Sequence, residues 1–355
     1  MKHFMKGKLF LKYINRLLNL FLCLVLSINC FAANSEAQLV KKIYDIEKRS
    51  NAVIGITAIH IEKNKVIGHN GNKRFFMAST IKLPIAIAFL HLVDQKKDSL
   101  NRVVNLGLNN VVPGSGTLHY LCERKKIRMS LQQILKYMMA NSDNSASDTL
   151  LQTVNGPAYV TKRMHALGFK NIVINRSIIE MMMDTNHVHP SLKQPRSVYS
   201  WKKIFNRTPL KEKMLAWQRF EKDPRDTTTP AEMAKLLVKI YKNEALSESS
   251  TKVLMDIMEK CRTGRSRIRG LLPPYVKVAH KTGTWAIDEP QYIRYPGSNK
   301  LFRFVSDVGI ITLPNNKGHI AIAVYVKSRA VSNYTRSRAI ALASRAIYDH
   351  FMAQK

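Results

Sequence analysis

Strand-like segments stand at both ends of this 355-residue chain, with a largely helical stretch between them. Near the N-terminal end "AVIGITAIHI" and "KVIGHN" read as two strands joined by a turn at Glu62 to Asn64, and near the other end "YVKVAHKTG", "RFVSDVGIITL" and "HIAIAVYVKS" read as three more. A lone pair of strands is marginal in water, so the two groups are expected to meet in one sheet. The result is an α/β domain built from both ends of the chain, with an all-helical domain inserted. The spacing places the α/β domain at residues 33–76 and 245–355 and the helical domain at 77–244. Helices are expected from Glu36 to Ser50, at "IKLPIAIAFLHLVDQ", "SLQQILKYMMA", "ASDTLLQTV", "AYVTKRMHALG" and "TPAEMAKLLVKIYKN", and from about Tyr334 to Met352.

The first 32 residues have a different logic. Lys2, Lys6, Lys8, Lys12 and Arg16 precede the apolar run Leu17 to Ile28, and small residues follow at Cys30 and Ala32. That order is expected of a signal peptide cleaved near Ala32, giving a periplasmic or secreted protein. The run is shorter than the roughly 20 residues a membrane span needs. Removing those five basic residues lowers the formal charge from +33 to +28. An exported chain rarely meets nucleic acid, and no nucleic-acid motif is present, so such a charge suits an anionic envelope polymer or simple solubility. Cys122 and Cys261 remain after cleavage, and their separation leaves pairing open.

Three short motifs carry the chemistry. In "MASTIKLPIA", Ser79 and Lys82 stand three positions apart, a spacing that puts both on one helix face. The pair fits a nucleophile beside its base, although on this pattern alone a helix cap beside a snorkelling lysine is favoured. "MMANSDNSASDTLL" then sets Ser142, Asp143 and Asn144 between two helices, and "VAHKTGTWA" sets Lys281, Thr282 and Gly283 on a strand. In this order the three form a specific set.

With them, the mature chain resembles the class A β-lactamase family of penicillin-recognising serine hydrolases. "VPGSGTL" (Val112 to Leu118), "RDTTTPAEMAKLL" and "TGRSRIRGLLP" resemble neighbouring family segments. The resemblance implies an antiparallel sheet flanked by the N- and C-terminal helices. It also implies a Ser79 nucleophile with Lys82 as base, Ser142 as proton relay and Asn144 as orienting group. Lys281 and Thr282, with Gly283 beside them, would meet a substrate carboxylate, and the backbone N–H groups of Ser79 and Thr284 would form an oxyanion hole. The substrate would be a β-lactam or a peptidoglycan-like molecule, taken by a monomer without cofactor or metal; His187 and His189 are expected to be loop residues.

The family's deacylating carboxylate falls on Glu180 in "EMMMD", within an enlarged basic omega-loop region of about 176–226. That region interleaves Tyr199, Trp201, Phe205 and Trp217 with basic residues, and a short helix is expected near Leu210 to Phe220. A serine β-lactamase follows if Glu180 is in place, and a slowly deacylating penicillin-binding peptidase if it is not. A non-catalytic binding protein has no need of the serine, two lysines and relay together.

Overall fold

The computed structural model describes residues 35–189, 197–286, 296–329 and 331–354; the expected signal peptide and its cleavage point lie outside them. β1 (Val53–His60) and β2 (Lys65–His69) form a hairpin, and β7 (Val278–Trp285), β8 (Arg303–Thr312) and β9 (His319–Ser328) follow at the other end. Their order in space is β2-β1-β9-β8-β7, with all neighbours antiparallel. β1 and β9 pair in full, Ile56 opposite Val324, so the two ends of the chain meet mid-sheet.

Period-two alternation explains the apolar runs. Ile320, Ile322, Val324 and Val326 join one core with Ile43 of α1 (residues 35–49) and with Ile340, Ile347 and Phe351 of α12 (Asn333–Ala353). Ala321, Ala323 and Tyr325 join the other core, with Met233 and Leu237 of α10 (Pro230–Tyr241). Both faces are covered, so nearly every residue of β8 and β9 is buried. α10 precedes residue 245, where the sequence sets the domain boundary, yet it packs on β1 and β9.

Between these strands, α2 (Lys82–Asp94) buries every residue from Lys82 to Leu90. Around it pack α4 (Leu131–Ala140), α5 (Asn144–Thr153), α6 (Pro157–Ala166) and α11 (Glu248–Glu259). α3 (Leu118–Arg124) and α7 (Ile178–Thr185) complete this layer. Elements additional to those read from the sequence include α3, α7, α11, the small hairpin β4 (Val103–Leu106) with β5 (Ile127–Ser130), and β3 (Phe75–Phe76) with β6 (Thr227–Thr228).

The enlarged region holds α9 (Leu210–Phe220), where a helix is expected, and a further helix, α8 (Val198–Arg207). Trp201, Phe205, Trp217 and Phe220 are buried, while Tyr199 is exposed. Phe220 packs edge-on to Phe76 and stacks on Trp285, which fastens α9 to β3 and β7.

Candidate active site

A 3-10 turn, Ala78–Ile81, presents Ser79 directly before α2. β3 fixes its approach, since the Met77 N–H donates to the Asp226 carbonyl at 3.0 Å. Ala78 takes a left-handed backbone, φ +48°, a strained state for a residue with a Cβ. β7 passes alongside: a Cβ on Gly283 would sit 3.1 Å from the Ser79 nitrogen and 2.7 Å from the Met77 carbonyl oxygen. Only glycine permits that approach. Ser79, Asn144, Thr284, Gly114, Met182 and Trp217 line one cleft of about 330 Å³. Among the described residues the half-buried Ser79 hydroxyl has no hydrogen-bond partner.

Lys82 enters from the first turn of α2 and is fully buried. Its Nζ donates to the Ser142 carbonyl at 2.6 Å, to Asn144 Oδ1 at 2.9 Å and to Ser142 Oγ at 3.3 Å. Lys281 Nζ reaches the same hydroxyl from β7 at 2.9 Å and donates to the Thr282 carbonyl at 2.8 Å. Both lysines therefore meet at Ser142, whose φ of +57° marks a second strained backbone. Asp143 holds this loop: it caps α5 through the Ala146 N–H and accepts from the Thr117 and Leu118 N–H groups. Asn144 Nδ2 donates to the Pro113 carbonyl, so its amide has a single orientation.

Burial depresses Lys82 well below the usual lysine range, and the positive charge of Lys281 adds to that, against Asp143 and Asp148. A neutral amine keeps two N–H donors for Ser142 O and Asn144 Oδ1 and leaves a lone pair free to take a hydroxyl proton. Burial also brings Lys281 down to about 8, with Cys261 and Asp307 opposing.

The sequence reading passed over the floor beneath β7. Thr263 and Thr282 share a 2.6 Å hydroxyl contact, and Arg267 donates to Thr284 Oγ1 and to the Gly283 and Ser306 carbonyls. Burial disfavours the charged imidazole of His280, but Asp307, whose two oxygens meet Nδ1, and Cys261 together raise it to about 9. Cys122 and Cys261 are both free and buried.

Glu180 is not among the residues that line the Ser79 cleft. It is the third residue of α7, and its Oε2 accepts from the N–H and hydroxyl of Ser177, which in turn caps the Glu180 N–H. Its exposed carboxylate faces a separate pocket of about 240 Å³, and α7 instead offers Met182 and Thr185 to the cleft. Ser177-x-x-Glu180 is a capping box written in the sequence, a competing use of the acid. A second acid missed by the motifs lies deeper: Asp148, buried on α5, accepts from the Ile178 and Ile179 N–H groups, and burial raises it to about 6.

A serine hydroxyl at a helix start, two buried lysines meeting at a second serine, and a strand edge against the first serine's N–H are the arrangement of a serine hydrolase. The sequence model of the beta-lactamase enzyme family matches residues 38–351, and the chain belongs to that family. It is 26% identical to beta-lactamase VEB-1 of Pseudomonas aeruginosa over 96% of this chain and 99% of that one. It is also 26% identical to the extended-spectrum beta-lactamase PER-1 of the same organism, over 92% of each. Among solved structures, TLA-1 extended-spectrum beta-lactamase superposes with a TM-score of 0.71 at 28% identity, over 89% of this chain and 99% of that one. A beta-lactamase from Chitinophaga pinensis gives 0.69 at 27% identity, over 88% and 98%.

Proposed function

We propose that the protein opens β-lactam rings through an ester on Ser79. The observation that carries this reading is the meeting of Lys82 and Lys281 at Ser142, with Asn144, a partner of Lys82, lining the same cleft as Ser79, whose hydroxyl has no hydrogen-bond partner among the described residues. Ser79 Oγ attacks the lactam carbonyl carbon and its proton passes to neutral Lys82. The backbone N–H groups of Ser79 and Thr284 receive the charge that develops on the carbonyl oxygen. Ser142 Oγ accepts from Lys281, its own O–H protonates the departing nitrogen, and the proton taken up by Lys82, 3.3 Å away, restores it. Lys281 and Thr282 hold the substrate carboxylate, and water then cleaves the ester.

Intact mass after incubation with a penicillin, alongside turnover of a chromogenic cephalosporin, tests this. Wild type gains the ligand mass and Ser79→Ala does not. Equal labelling of the two removes Ser79 from the reaction.

A second reading, a penicillin-binding hydrolase with slow deacylation, is favoured by the Ser177–Glu180 pairing, which turns the acid from the cleft. Glu180→Gln separates the two. If Glu180 activates water, the Gln variant accumulates the acyl-enzyme while wild type turns over; if not, both release it at one rate.

The proposal includes a monomer exported to the periplasm or medium, with a mature N-terminus near Ala33. N-terminal sequencing of the exported protein reads that directly. No helix of the described residues is long and apolar enough to cross a membrane.

A further inference from the structure

Beside α7 lies a second cavity, of about 650 Å³, that the acyl-transfer chemistry does not use. α7 and α9 divide the two spaces. Met182 and Trp217 face the Ser79 cleft, whereas Asp184, Ala216 and Phe220 face the cavity.

Its basic lining is uneven in how well it is paired. Arg176 is 5% exposed; its Nε donates to Asp226 at 2.6 Å and its Nη1 to Asp184 at 2.6 Å, with Asp223 at 3.1 Å. Arg225 meets Asp223 and Asp184. These three aspartates and two arginines leave the network one negative charge in excess, which Arg219 and Lys222 turn to a net positive one. Arg176 Nη2 is buried and has no hydrogen-bond partner among the described residues, a state that native proteins rarely leave standing. Arg219 and Lys222 also line the cavity and form no ion pair among the described residues. Arg219 Nη2 donates to His187 Nδ1 at 3.1 Å, which places the imidazole proton on Nε2.

We propose that this cavity binds a phosphate group, held by Arg176 Nη2, Arg219 and Lys222. The donors come from two separate segments, the loop before α7 and the end of α9. Phosphate takes forked arginine donors and the point charge of a lysine together. The space exceeds an inorganic phosphate, and Val188, Ala216 and Phe220 give an apolar wall for the carbon part of a phosphate ester. The ligand class is therefore a phosphate monoester or diester, free or carried on a lipid headgroup.

The test is calorimetric titration of the full chain, at constant ionic strength, with inorganic phosphate and with glycerol 1-phosphate. Vesicles of phosphatidylglycerol are assayed in parallel by sedimentation. Arg219→Ala/Lys222→Ala is the comparison, with Lys222→Gln as a gentler variant; circular dichroism and the Ser79 acylation rate verify that each folds. Saturable 1:1 binding of both soluble phosphates, weakened at least tenfold in the double variant, is the expected result. Added vesicle binding, lost in the same variant, extends the site to a headgroup. No soluble phosphate binding, equal binding by the variant, or binding to vesicles alone overturns the proposal.

Discussion

At the scale of the residue, two lysines meet at one hydroxyl, and burial disfavours the charged form of both. Lys82 is the group that burial and Lys281 together drive down. Lys82→Ala is therefore expected to slow acylation of Ser79 by a factor of about 10² or more, read by rapid quench and intact mass. Lys281 stands at about 8, so it is charged below that pH and neutral above it. Affinity for a carboxylate-bearing substrate is expected to fall as pH rises through about 8, seen as a rise in KM while a neutral analogue shows none. These residues were legible in the sequence because acyl transfer demands a serine, a lysine and a relay at short fixed spacings. Glu180 was not, because one acid three places after a serine has two uses, and the spacing that suggested catalysis is also that of a cap. Asp148 was hidden for another reason: its partners are backbone N–H groups thirty residues away, which leave no mark in a motif.

At the scale of the element, α7 is positioned by side chains that do no chemistry. Asp148 takes two N–H groups of its first turn, and Arg176 ties its far end to the loop through Asp184 and Asp226. Asp148→Ala leaves two buried donors unpaired, at about 1–3 kcal/mol each. The variant is expected to lose about 2–6 kcal/mol in urea unfolding and to be cut faster by protease near residues 178–185; an unshifted midpoint would show that α7 is held by packing alone. Helices with strong periodicity, such as α4 and α10, could be read from the chain. α11 could have been, since Ser247 caps it and Leu254, Ile257 and Met258 recur at helical spacing. β3 and β6 could not, because two residues carry no period, although they set the approach to Ser79.

At the scale of the whole molecule, β1 and β9 join the two ends of the chain in the middle of one sheet, so the inserted helices cannot fold onto a finished platform until both ends have arrived. Loss of either end removes the sheet, and unfolding is expected to be a single cooperative transition. Far-UV circular dichroism should therefore coincide with the fluorescence of Trp201, Trp217 and Trp285, which sit on α8, α9 and β7; separated midpoints would reveal independent halves. The strand–helix–strand plan was readable because a sheet covered on both faces writes near-continuous apolar runs, but packing of α10 on the sheet was not, since its apolar face fits either neighbour. The two buried thiols gain a use from this plan. Cys122 lies in α3 among the helices, and Cys261 lies under β7. Each reacts with a soluble reagent only while its own surroundings breathe open, so the two labelling rates are separate clocks, one for the helical layer and one for the strand that carries Lys281.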